Sequence, residues 1–385
     1  MRRWWAVAAI VIAAVNLRPP VTAVGALLGP IQRDLDLSGI AVGLLTTLPV
    51  VCLGVFAYVT PRMREWLGEE GVIAAALPVL LLGTLLRLVP AVALLFIGTI
   101  LVGAGIAVAN VALPALIKRE FPARVSAVTA TYTMVVVLGA SAGSGVAVPL
   151  QQALPGGWRA PMLVLALPIA VASLVWLVAA RRLRNPRSGG REAAPSLWRD
   201  RLAWQVTAFM GLQSLLAYVV FGWLPTIVVD RGLSPTAAGL LLSISALVQA
   251  VGAIAIPALN RGRSQKPLTT LVAVATAVGL AGVIAAPMTQ IWFWAVVLGL
   301  GQGGGFALAL TLVGLRARDA ATASQLSSMA QGTGYLIAAT GPFLVGVLHG
   351  ITGGWIAVLA LLLTVGALEI VAGLGAGRDA QVRAG

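Results

Sequence analysis

Long apolar runs alternate with short polar segments along nearly the whole chain. Six runs, near 5–30, 38–60, 71–89, 91–117, 124–149 and 158–180, are followed by six more near 202–229, 236–258, 268–287, 290–314, 321–347 and 353–375. A helix needs roughly 20 apolar residues to cross a bilayer core, and only helices or closed barrels satisfy every backbone donor and acceptor there. The pattern predicts an all-α membrane protein with twelve transmembrane helices. The longest polar stretch, residues 181–201, reads as a cytoplasmic linker between an N-terminal six-helix domain, 1–180, and a C-terminal six-helix domain, 202–385.

Composition agrees: 59% of the 385 residues are hydrophobic and only 10% charged, which excludes an ordinary soluble domain. Lys and Arg should collect on the cytoplasmic side of a membrane protein. With the N-terminus inside, 21 of the 26 basic residues fall on that side, Arg33, Arg87, Arg159 and Arg231 fall outside, and Arg18 lies within the first span. The expectation is a multi-pass protein of a bacterial-type inner membrane with both termini cytoplasmic. The net charge of +14 is then explained by orientation and not by nucleic-acid binding. The opening Met1-Arg2-Arg3-Trp4-Trp5 is like a signal peptide, but the segment is needed to make the span count even and is read as an uncleaved first helix. Cys52 is the only cysteine, so no intramolecular disulfide is expected.

The halves repeat each other. Leu37-Ser38-x-x-Ala41-x-Gly43-Leu44-Leu45 recurs as Leu233-Ser234-x-x-Ala237-x-Gly239-Leu240-Leu241, and each copy opens the second helix of its half. Each serine is placed to cap a helix N-terminus. A duplicated unit with parallel halves suits a carrier with a site between two domains.

Three stretches carry a resemblance to a known family. They are Asn16-Leu17-Arg18-Pro19-Pro20-Val21-Thr22-Ala23-Val24-Gly25 in the first helix, Gly103–Arg119 in the fourth and Gln331–Pro342 in the eleventh. With them the chain resembles the major facilitator superfamily, within it the cyanate transporter-like and 2-nitroimidazole exporter-like branch. The resemblance implies alternating access, and a small anion or a small polar heterocycle as substrate. The superfamily's loop between helices two and three, with an Asp-Arg pair and Gly-Arg-Arg, is replaced here by Pro61-Arg62-Met63-Arg64-Glu65-Trp66-Leu67-Gly68, so its charge lock between domains is not carried over.

Arg18 is the central candidate, because a guanidinium deep in a span is tolerated only beside a polar cavity or a partner. Asn16 and Thr22 flank it, Thr22 at a spacing that shares a helix face, and Pro19-Pro20 predicts a kink. The cavity helices of such a carrier add Asn110, Tyr132, Gln213, Tyr218, Gln302, Gln331 and Tyr335 as substrate-binding candidates. Asn110 stands one turn before Pro114 and could equally serve that proline's freed carbonyls, and Trp223 could be an interfacial anchor. Pro225 could break the seventh helix. Gln249 reads as a bridge between helices. No Asp or Glu lies in the middle of a span. Glu369 comes nearest and is expected to snorkel or to pair with loop arginines, and His349 falls near an outer helix end.

An uncompensated cation favours an anionic ligand. The leading expectation is a secondary or facilitative carrier of a small, cyanate-like anion, functional as a monomer. The alternative is an exporter of small neutral heterocycles such as 2-nitroimidazole. Motifs for metallopeptidase, serine hydrolase and nucleotide chemistry are missing from the sequence, so no enzyme activity, cofactor or metal is expected.

Overall fold

The computed structural model describes residues 2–121, 124–183, 196–259 and 264–382. Its helices are α1 (Arg2–Ala14), α2 (Pro19–Ala26), α3 (Leu28–Asp34), α4 (Gly39–Leu86), α5 (Val92–Glu120), α6 (Val125–Ala153) and α7 (Arg159–Leu183), then α8 (Arg201–Asp230), α9 (Pro235–Ala258), α10 (Lys266–Ala285), α11 (Ile291–Arg316), α12 (Ala320–Thr352) and α13 (Ile356–Ala376). Among the described residues, eleven helical stretches are long and apolar enough to cross a membrane. One of them, the 48-residue α4, turns back at Gly68, whose φ of 70° and ψ of 172° suit a residue without a Cβ. It therefore supplies two crossings, and the expected twelve are present. Most of the expected linker, like Arg261, Arg263 and Arg383, lies outside the described residues.

The first crossing is not one helix. Pro19 and Pro20 lack backbone donors, so α1 ends at Ala14 and α2 restarts with both prolines in its first turn, with Arg18 at its N-cap. Arg18 thus sits at a break between helices and not in the middle of one. The seventh crossing, α8, in contrast runs unbroken through Pro225; the break expected there does not occur.

Helix ends are satisfied as the sequence pattern requires. Ser38 and Ser234 each accept from the backbone N–H three residues on, at 3.3 Å in both copies. Asp200 and Asp319 do the same for α8 and α12 at 2.8 Å. Outside the crossings, Asp34 accepts from Trp158 Nε1 at 3.0 Å and from Arg159 Nη1 at 2.8 Å. Those two donors hold its carboxyl below the usual carboxylate range.

Large apolar side chains such as Ile97, Leu167, Leu174, Ile254 and Val371 are exposed on the outside of the bundle, as a lipid-facing surface requires. Inside, one apolar core runs through both halves, and a smaller one closes the base of the C-terminal half, where Leu197 and Val382 join Phe209 and Leu312.

The halves meet most closely toward the end of the bundle opposite the chain termini. There Gly39 and Gly43 of α4 pack on Gly346 and Gly350 of α12, and a Cβ at Gly25 of α2 would overlap the carbonyl oxygen of Phe221. Ser141 and Ser243 join α6 to α9 at 2.5 Å. Toward the terminal end, Tyr58 and Thr333 share a 2.7 Å hydrogen bond beside a crevice of about 230 Å³ lined by Pro61, Trp198, Gln325 and Met329. Charges near the Gly68 turn pair within the N-terminal half: Arg64 with Glu69 at 2.5 Å, and Arg119 with Glu69, Glu70 and Glu120.

Candidate substrate-binding site

The break before α2 aims Arg18 across the boundary between the halves. Its Nη1 donates to the hydroxyl of Tyr218 on α8 at 3.2 Å. Its guanidinium carbon lies 5.7 Å from the centre of the Tyr218 ring and 5.8 Å from that of Phe221, within the range of a cation–π attraction. Tyr335 of α12 meets Tyr218 edge-on with ring centres 6.1 Å apart, and both Tyr335 and Tyr132 stand within electrostatic reach of Arg18. Tyr132 donates to Asn110 Oδ1 at 3.1 Å, tying α6 to α5. Every one of these neighbours is neutral. Among the described residues Arg18 forms no ion pair.

The structure therefore brings Arg18, Tyr218, Tyr335 and the Tyr132–Asn110 pair together, while the remaining candidates direct their side-chain hydrogen bonds to backbone carbonyls or to other polar side chains. Asn16 is buried and donates to the carbonyls of Ile12 and Pro168 at 2.7 and 3.3 Å. Thr22 is also buried and donates to the carbonyls of Ala140 at 2.9 Å and Arg18 at 3.3 Å. Both hydrogen-bond backbone carbonyls inside the N-terminal half. In the other half, Gln302 Oε1 accepts from Gln249 Nε2 at 3.2 Å, so Gln249 does bridge α9 and α11. Gln213 donates to Ser214 at 3.0 Å. Among the described residues, Gln213 Oε1 and Gln302 Nε2 are buried without partners. Gln331 donates to Ser327 one turn back at 2.9 Å.

Residues 8–339 match the model of the Major Facilitator Superfamily. The chain belongs to that superfamily. It is 37% identical over 98% of its length to the 2-nitroimidazole transporter of Escherichia coli (strain K12), covering 96% of that protein. To the cyanate transport protein CynX of the same organism it is 32% identical, over 90% of each chain. A solved structure of a D-xylose-proton symporter superposes with a TM-score of 0.73 at 14% identity, covering 99% of this chain and 98% of that one. This major facilitator is therefore a multi-pass membrane transporter acting on a small molecule, and not an enzyme.

Several expectations about this transporter's interior need correction. Arg87 and Arg316, at 1% and 2% exposure, are buried more completely than Arg18, which is half-buried. Arg87, expected in an outer loop, caps the second crossing of α4 and folds inward, where Nη1 donates to Pro20 O at 2.8 Å and Nε to Thr99 Oγ1 at 3.2 Å. The available signal was its place inside the apolar run 71–89. Glu369 does not snorkel, being 1% exposed, and among the described residues it forms no ion pair and its Oε2 has no partner. Asn110 serves Tyr132 and not the carbonyls near Pro114. Trp223 is buried and donates to Pro342 O at 3.1 Å, so it is no interfacial anchor. His349 stacks on Trp355 with ring centres 4.0 Å apart.

Proposed function

We propose that the chain carries a small monovalent anion, cyanate-like in size, by alternating access of its two halves around Arg18. The single observation behind this reading is a guanidinium at the boundary between the halves whose partners among the described residues are neutral, the hydroxyl and ring of Tyr218 and the ring of Phe221. Arg18 is half-buried, desolvating a cation without a counter-charge is unfavourable, and an anionic ligand that hydrogen-bonds the guanidinium offsets that cost. The N-terminus of α2 points its positive dipole end at the same place. The cyanate transport protein among the relatives supports the substrate class. Sorting of basic residues to the end of the bundle with the termini supports a cytoplasmic placement of both termini in a bacterial inner membrane, and the site is complete in one chain, which supports a working monomer.

A second reading rests on the aromatic side chains. Tyr218, Tyr335 and Phe221 meet edge-on beside Arg18, a wall on which a flat heterocycle could stack, and one relative is a 2-nitroimidazole transporter. The test is uptake of labelled cyanate into proteoliposomes, wild type against Arg18→Gln, with 2-nitroimidazole as competitor. Saturable cyanate uptake lost in the variant supports the anion carrier. Absence of cyanate uptake, with 2-nitroimidazole transport surviving the substitution, replaces it by the neutral-solute reading.

A further inference from the structure

Arg316 and Arg231 illustrate what a structural arginine does in this fold. Arg316 Nε donates to Ala376 O, the last carbonyl of α13, at 2.9 Å, and Arg231 donates to the carbonyls of Val283 and Ala286 at the end of α10. Both place a cation at the negative end of a helix dipole, where it is stabilising.

Arg87 is placed differently. It is the C-cap of α4, yet its guanidinium reaches away from that helix: Nε donates to Thr99 Oγ1 and Nη1 to Pro20 O, in the first turn of α2, whose N-cap is Arg18. Arg87 is buried to 1%, and among the described residues it forms no ion pair. Its two acceptors, a carbonyl and a hydroxyl, are neutral, and a buried cation without a counter-charge is costly even with the C-terminal end of α4 beside it.

Arg87 also faces a space. It lines a cavity of about 10 Å³, room for roughly one water, together with Val21, Thr46, Pro49, Tyr218 and Phe221. The cavity lies between the halves, beyond Tyr218 as seen from the chain termini. It is shut on the far side where α2 meets α8 at Gly25 and Phe221. Tyr218 belongs to both places, with its hydroxyl on Arg18 and its side chain in the cavity wall.

We propose that Arg87 forms a second anion subsite, which opens when α2 and α8 part and takes the anion from, or hands it to, Arg18 past Tyr218. This rests on the anion reading of Arg18. It assigns Arg87 a role in the passage of the anion and not in its resting affinity.

The experiment compares wild type, Arg87→Gln and Arg87→Lys by three readouts: equilibrium binding of cyanate to purified protein, initial rate of labelled cyanate uptake into proteoliposomes, and midpoint of thermal unfolding. Arg87→Gln should bind cyanate within about threefold of wild type yet lose about tenfold or more in rate, the scale of one charge-assisted hydrogen bond. Arg87→Lys keeps the charge and should retain most of the rate. Wild-type rates in Arg87→Gln overturn the subsite, and so does a loss of rate in both variants that follows a lowered unfolding midpoint. If Arg87→Gln does not fold, Arg87→Lys and Thr99→Val decide: full rates in both support the subsite, and an inactive but folded Arg87→Lys overturns it. Wild type that neither binds nor moves cyanate removes the anion reading of Arg18 itself, a failure distinct from one confined to Arg87.

Discussion

The two halves present different chemistry to the boundary between them. The N-terminal half brings cations, Arg18 and Arg87, with the positive end of α2 beside them. The C-terminal half brings a neutral wall of Tyr218, Phe221 and Tyr335, and turns its amides inward, Gln302 onto Gln249 and Gln213 onto Ser214. Its one buried carboxyl, Glu369, is on α13, where the neighbouring glycines Gly366 and Gly373 pack on Ala277, Thr269 and Phe209 of α10 and α8, inside that half. On the proposed reading an anion is therefore held electrostatically by one half throughout. Only the hydrogen bond through Tyr218 has to be made and broken as the halves move.

The largest effect is expected from removing the charge. Arg18→Gln should lower cyanate uptake about a hundredfold or more, since the loss of a buried charge-assisted contact is worth about 3 kcal/mol or more, while Arg18→Lys keeps partial activity. The protein should still fold, as among the described residues the Arg18 side chain hydrogen-bonds only Tyr218. A variant that fails to fold would instead make the cation part of the scaffold.

The next effect comes from the contact that seals the halves. Gly25→Val puts methyl groups where the Phe221 carbonyl stands, so α2 and α8 must separate. Uptake should fall about tenfold, because a bias of only about 1.4 kcal/mol shifts a two-state equilibrium by that factor. A Leu45→Cys reporter in a Cys52→Ser background should react faster with a membrane-impermeant maleimide in Gly25→Val than without it. Equal labelling rates would mean that this contact does not gate the cavity.

These first two sites differ in how far the sequence disclosed them. Arg18 was legible because an arginine inside an apolar run has few tolerable environments, and the twelve crossings were legible because lipid leaves the backbone so few options. The spacing of Arg18 and Thr22 holds, since the backbone N–H of Thr22 donates to Arg18 O, but the sequence does not disclose that Asn16 and Thr22 donate to carbonyls of Pro168 and Ala140, more than 100 residues away. Arg87 was missed because a position at the end of a crossing does not reveal its depth. That depth is set by the close approach of Gly83 to Gly98, which brings α5 and Thr99 against it. Gln249 and Gln302 find each other across 53 residues, which no local pattern encodes, whereas Gln213 and Gln331 turn to serines within one turn of their own helices.

Tyr218→Phe should have an intermediate effect. It deletes the hydrogen bond to Arg18 but keeps the ring, and one neutral acceptor is worth about 0.5–1.5 kcal/mol, so cyanate affinity should weaken about two- to tenfold. A stronger anion affinity in Tyr218→Phe would mean that the phenol competes with the ligand for Arg18. The smallest effect is expected in the C-terminal half: Gln302→Leu should change cyanate affinity by less than about threefold, the scale of an interhelical hydrogen bond in a membrane, about 0.6 kcal/mol. A large loss there would end the asymmetry between the halves and place a ligand contact on α11.

The most direct measurement is titration of cyanate onto purified wild type, Arg18→Lys and Arg18→Gln at fixed ionic strength, with 2-nitroimidazole titrated in parallel. The expected result is saturable cyanate binding that weakens in Arg18→Lys and disappears in Arg18→Gln. Cyanate binding in Arg18→Gln within about twofold of wild type, a difference of only about 0.4 kcal/mol, would contradict an anion site centred on Arg18.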